Sequence, residues 1–79
     1  MQKVKKSEIT IRFGQALRRR RTVLGFTQEL LAEKADLHRT YVADIERGKR
    51  NVSLKNVEKL AKALGLSMAE LMASVGCKS

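Results

Sequence analysis

An all-α fold of five short helices is predicted by three features of this sequence. It has no proline, so no residue breaks its periodic segments by withdrawing a backbone N–H. Apolar residues recur at helical spacing, and no convincing alternating stretch marks a strand. Three glycines, Gly25, Gly48 and Gly65, fall between periodic segments, and capping residues open the segments that follow.

The first helix is expected to begin near Ser7 or Thr10, with Ile9, Phe13, Leu17 and Leu24 at helical spacing. Gly25 stops it, and Phe26 is placed to fold back onto its last turn. Thr27 caps a second helix, Gln28 to Lys34, that buries Leu31 and Ala32 or Ala35. Ala35-Asp36-Leu37 is a tight connection. His38 or Arg39 opens a third helix, ending before Gly48. Ser53 caps a fourth, with Leu54, Val57, Leu60, Ala61 and Leu64 on one stripe. Gly65 ends it, and Leu66 follows. Ser67 and Glu70 form a capping box for a fifth helix through Leu71 and Met72. Helix, short turn, helix in the middle of such a set is the pattern of a DNA-reading unit. The expected organisation is a basic arm over residues 1–8, the helical domain over 9–75 and a tail over 76–79.

Seventeen Lys and Arg against eight Asp and Glu give a formal net charge of +9. That excess points to a polyanion, nucleic acid first and an anionic membrane second. It is unevenly spread. Residues 1–24 hold eight basic and one acidic residue, net +7. Residues 25–47 hold three basic and five acidic, net −2, and residues 48–79 six basic and two acidic, net +4. The central unit is therefore slightly acidic, and attraction to phosphate must come from its flanks. Phosphate contacts position a protein while a few side chains specify the base, so this division is workable.

Other chemistry has little support. One His and one Cys, His38 and Cys77, stand far apart and supply neither a nucleophile pair nor a metal set. There is no glycine-rich phosphate loop. No enzyme activity, cofactor or metal is expected. A lone cysteine fits a reducing cytosol, and no apolar run approaches a membrane span or a signal peptide. A cytoplasmic protein without membrane contact is the expectation.

The run Arg18-Arg19-Arg20-Arg21 advances about 100° per residue on a helix, so its charges spread around the whole circumference. They cannot all grip one phosphate ladder. In the third helix, Val42 and Ile45 define the inward face, with Glu46 beside them. Thr40, Asp44 and Arg47 lie opposite, and Ala43 and Tyr41 lie on the flanks. Arg39, in the first turn, is the first choice for a bidentate contact to a guanine edge. Thr40 suits a base or a thymine methyl. Asp44 either accepts from a cytosine amino group or holds Arg39 in place. Glu46 needs a partner, because an unpaired carboxylate beside an apolar face is costly to bury. A helix-one arginine is the obvious candidate.

TQELLAEKADLHRTYVADIERGKRNVSL, together with the Leu60-Ala61…Leu64 stripe, resembles the helix-turn-helix of the phage repressor and Cro family. The resemblance covers roughly residues 9 to 72 and implies a lambda-repressor-like fold that binds DNA. HRTYVADIERGKRNVSL is most similar to the controller proteins of restriction–modification systems. The resemblance implies a phosphate clamp at Gln28 and base reading at Arg39 and Thr40, with Asp44 one turn on. Tyr41 would lie near the DNA backbone, and Arg50 and Asn51 would meet the backbone or base edges. Arg47 and Lys49 complete the expected DNA-binding set, and Arg21 with Glu46 would be a structural salt bridge. Asp36 replaces the usual glycine of the turn, and His38 replaces a small capping residue.

The same resemblance implies a homodimer on a (pseudo)palindromic operator, with half-sites about 34 Å apart. Met68, Leu71, Met72 and Val75 are the expected dimer interface. Glu29, Glu33 and Asp36 form an acidic cluster suited to RNA polymerase. An operon controller acting on its own promoter is the leading expectation. It would activate at low occupancy and repress when a second dimer fills the adjacent site. An antitoxin that binds a toxin, or a protein-bridging coactivator module, is the alternative.

Overall fold

The computed structural model describes residues 8–76, so Cys77 and nearly all of the expected arm and tail lie outside the described residues. Five helices follow one another: α1 (Glu8–Val23), α2 (Gln28–Ala35), α3 (Arg39–Glu46), α4 (Leu54–Ala63) and α5 (Met68–Gly76). There is no strand among the described residues, and no described helix is long and apolar enough to cross a membrane.

Local chemistry explains where each helix starts. Thr27 and Ser53 accept hydrogen bonds from the N–H groups of Leu30 and Asn56, satisfying donors that have no partner inside the helix. Ser67 and Glu70 make a reciprocal capping box, with Ser67 N donating to the Glu70 carboxylate at 2.8 Å and Glu70 N to Ser67 Oγ at 3.0 Å. His38 caps α3, its Nδ1 accepting from Thr40 N at 3.3 Å.

The ends of α1 to α4 share one device. Phe26, Leu37, Lys49 and Leu66 each donate their N–H to the carbonyl five residues back, at 2.9–3.0 Å. The residue before each takes a left-handed backbone. At three ends it is glycine, and between α2 and α3 it is Asp36, at φ 58° and ψ 47°. Asp36 therefore meets the demand of a glycine position, at roughly 1–2 kcal/mol for a residue with a Cβ.

Leu17, Leu31, Val42, Ile45, Leu60, Leu64, Leu71 and Val75 form the sealed centre of the core. Around it α1 packs on α3 and α5, α2 packs on α3 and α4, and α4 packs on α5. Three stripe positions depart from expectation. Ile9 and Leu24 lie at or past the ends of α1, and Leu54 is the first residue of α4. All three reach beyond their packing partners and are exposed, Leu54 most of all at 78%.

Candidate nucleic-acid interface

The position of α3 is fixed from beneath. Val42 and Ile45 are fully buried. Gly14, in the middle of α1, is buried against the end of α3: a Cβ there would overlap the Ile45 carbonyl oxygen and crowd that of Glu46. Two backbones thus approach where only glycine fits. The sequence signal was a glycine inside a helical pattern, but its contact across the fold was not legible.

Glu46 completes the anchor. Arg21 Nε donates to Oε2 at 2.7 Å and Nη2 to Oε1 at 3.0 Å, a bidentate pair with side chains only 12% and 3% exposed. Arg21 Nη1 also donates to the Phe26 carbonyl at 2.8 Å. The hydrogen bonds it donates to Glu46, aided by that carboxylate's charge, hold the Arg21 guanidinium above its already high ordinary pKa, against the opposing pull of burial. Gln28 Nε2 donates to the same carboxylate at 2.9 Å. Gln28, expected at a phosphate, is thereby tied to the buried pair while standing in the first turn of α2. No buried side-chain polar atom among the described residues lacks a partner.

Other arginines of α1 also reach backbone oxygens, Arg12 and Arg20 from half-buried positions and Arg19 from an exposed one. Arg20 donates through Nε and Nη2 to the Leu64 carbonyl at the end of α4, at 3.3 and 3.2 Å. Arg12 Nε reaches the Val75 carbonyl at 3.3 Å, and Arg19 Nη2 reaches that of Ser74 at 3.5 Å. Helix C-termini present carbonyls without intrahelical partners, and a cation there also meets the favourable end of the helix dipole. Sequence reasoning missed these bonds because their partners are 44 to 63 residues away.

The outer face of α3 is polar. Arg39 is 63% exposed, with Nη1 4.0 Å from Glu29 of α2, and Thr40 beside it is exposed. Asp44 does not hold Arg39: its carboxylate is engaged by Arg47 Nη2 at 2.6 Å and lies 3.6 Å from Arg50 Nε. Arg50 also stacks over the Tyr41 ring, 5.2 Å from its centroid. Tyr41 is steadied in turn by Asn56, whose Nδ2 donates to the phenolic oxygen at 3.0 Å. Asn51 Oδ1 accepts from Thr10 Oγ1 of α1 at 3.0 Å. Lys49 is exposed on the same loop. The structure thus links Tyr41, Asp44, Arg47 and Arg50 along one side of α3 and the loop after it, ties Asn51 to α1, and leaves Arg39 and Thr40 at the helix start. Asn56 and Thr10 were not foreseen, since nothing local marks them.

The expected dimer face needs correction. Leu71 and Val75 are 0% and 1% exposed, sealed within their own chain, because α5 turns these residues onto the core. Of the four residues expected there, only Met68 and Met72 reach a groove of about 260 Å³ that also takes in Ile9, Phe13, Val52 and Leu54. Met72, Ile9 and Leu54 are exposed on it.

A family model described as helix-turn-helix matches residues 17–71. The control protein C.BamHI of Bacillus amyloliquefaciens is 51% identical over 67 residues, covering 84% of this chain and 83% of that protein. The control protein C.MunI of a Mycoplasma species is 44% identical over 70 residues, covering 87% and 95%. The crystal structure of the restriction-modification controller protein C.AhdI from Aeromonas hydrophila superposes with a TM-score of 0.77 at 52% identity, covering 78% of this chain and 94% of that one.

Proposed function

Since this chain belongs to the helix-turn-helix family, and within it to the controller proteins of restriction–modification systems, we propose that it is a sequence-specific DNA-binding transcriptional regulator of such an operon and of its own promoter. The observation that carries this reading is the likeness to several controller proteins along most of the chain. The geometry of α3 supports it: a short helix anchored by Glu46 and Gly14 beneath, with an exposed polar face above.

In this reading Arg39 and Thr40 contact bases in the major groove, because they occupy the exposed first turn of α3. Gln28 meets a phosphate from the first turn of α2 while its amide remains tied to Glu46. Arg47, Lys49, Arg50 and Asn51 grip the backbone past the far end of the helix, Tyr41 lies near the backbone beneath Arg50, and Asp44 lies among them. The protein works in the cytoplasm, on double-stranded DNA.

A single helix this short reads few base pairs, so a second copy is the natural partner. The groove between α1, the loop over residues 50–52, α4 and α5 suits it at its apolar end. Leu54 both projects from its rim and lines it, so two copies related by a two-fold axis can each seat Leu54 against the other's Ile9, Met68 and Met72. In the same reading the exposed Glu29 and Glu33 of α2 form the surface offered to RNA polymerase.

Footprinting on the DNA upstream of its own gene tests the reading. The expected result is two protected half-sites on one face of the duplex, about 34 Å apart. Uniform protection without a site would remove the claim of sequence specificity. Sedimentation of Leu54→Glu/Met72→Glu is expected to give monomers that melt near the wild-type temperature. A dimer that survives both charges would place the interface elsewhere.

A further inference from the structure

Asp44 sits one turn after Thr40 on the face of α3 read above as facing DNA, a place where a carboxylate is repelled by phosphate. Its side chain is nevertheless only 21% exposed, because two arginines cover it. Arg47 Nη2 donates to Oδ1 at 2.6 Å, and Arg50 Nε lies 3.6 Å from Oδ2. Arg50 is held from its other side by the Tyr41 ring, which Asn56 fixes through the phenol. The Asp44 main chain joins in: its carbonyl accepts the Lys49 N–H at 2.9 Å and closes the turn at Gly48. One residue therefore sets both the path of the loop after α3 and the aim of its two arginines.

These contacts argue against direct base reading by Asp44. Oδ1 accepts from Arg47 and Oδ2 lies against the Arg50 cation, so a cytosine amino group would have to compete with two arginines for the carboxylate. They argue equally against a role in stability, since Arg47 and Arg50 are more than half exposed and such pairs contribute little to folding. What remains is control over how the two cations meet DNA. Held by Asp44, each arginine keeps other N–H groups directed at solvent, in a geometry fixed before binding. Away from that geometry, the carboxylate opposes the approach of phosphate, and repulsion in the wrong register is a source of specificity.

We propose that Asp44 is a specificity-determining positioning residue: through Arg47 and Arg50 it favours DNA at the matched register and weakens binding elsewhere. The proposal rests on α3 being the DNA-reading helix. The test uses the full chain, a duplex that the wild-type protein selects from random-sequence DNA, and a scrambled duplex of the same composition. Failure of the wild type to select any sequence would overturn the DNA-reading function itself, and this proposal with it.

Given selection, Asp44→Asn is expected to melt with the wild type, to bind scrambled DNA several-fold more tightly and to bind the selected duplex no better. Its preference between the two duplexes should fall roughly tenfold, the scale of one lost base-pair discrimination. An equal gain on both duplexes would reduce Asp44 to one unit of charge and overturn the proposal. So would an altered base preference at a single position, which would make Asp44 a direct reader. In the Arg47→Ala/Arg50→Ala background the effect of Asp44→Asn on preference should vanish; an undiminished effect there would show that it does not act through these arginines.

Discussion

The arginines of α1 and those around α3 carry the same charge and end on different partners. Arg12, Arg19 and Arg20 donate to backbone carbonyls near the ends of α4 and α5, and Arg21 is locked on the nearly buried Glu46. Arg39, Arg47 and Arg50 lie against carboxylates too, but 52–63% of each side chain faces solvent. A carbonyl at a helix end has few other partners, so an arginine placed there is committed to the fold. A cation half in water keeps N–H groups that can meet a phosphate without giving up its partner. The half-buried Arg20 and Arg21 of the densest basic stretch therefore join helices, and the sparser cations around an acidic centre stay available to a polyanion.

The largest effect expected on this contrast comes from Glu46→Ala. It strips Arg21 of a bidentate partner and Gln28 of its acceptor. Breaking such a pair costs about 3–5 kcal/mol, and the lower end applies because Arg21 keeps an exposed edge. That is a large share of what a domain of this size has. A thermal melt should show a strong drop, and an unchanged Tm would mean that the pair does not hold α3. Arg39→Ala should do the reverse, leaving Tm intact while costing roughly 1–3 kcal/mol on the specific site and relaxing one base preference. Competition binding with scrambled DNA checks it, and an unaltered preference would remove Arg39 from the reading set.

Much of this division was legible in the sequence where its causes are local. Thr27, Ser53 and the Ser67–Glu70 box act within one turn of helix, and Asp36 takes the left-handed conformation that its position demands. The Arg21–Glu46 pair came within reach because a carboxylate beside Val42 and Ile45 must be paired and the family resemblance named its partner. What failed was information about distant neighbours. Periodicity marks Leu71 and Val75 as apolar without saying whether their own chain or a second one covers them. Leu54 and Ile9 share the pattern of core residues, yet helix ends outrun the packing that would cover them.

Gly14 sets the distance between α1 and α3. Ala is the better helix former by about 1 kcal/mol, so propensity alone predicts that Gly14→Ala stabilises α1. The added methyl, however, meets the Ile45 and Glu46 carbonyls, which are backbone and cannot rotate away. Overpacking costs about 1–3 kcal/mol, so net destabilisation is expected, together with weaker specific binding as α3 is pushed outward. A variant more stable than wild type would show that α1 and α3 part without loss.

The smallest effect is expected from Arg20→Ala, and it isolates the committed arginines from the available ones. Arg20 satisfies the Leu64 carbonyl with two N–H groups, at a helix end where water can donate to that carbonyl instead. A hydrogen bond from a charged group contributes about 1.5 kcal/mol or a little more, and solvent access reduces this. Tm should therefore fall slightly. Removing a positive charge from a phosphate contact would instead lower the slope of binding against salt by about one unit, whatever the sequence of the duplex. Arg20→Ala should leave that slope unchanged, and Arg50→Ala should lower it. If both variants lower the slope alike, the arginines of α1 belong to the DNA contact after all, and partner chemistry no longer separates the two groups.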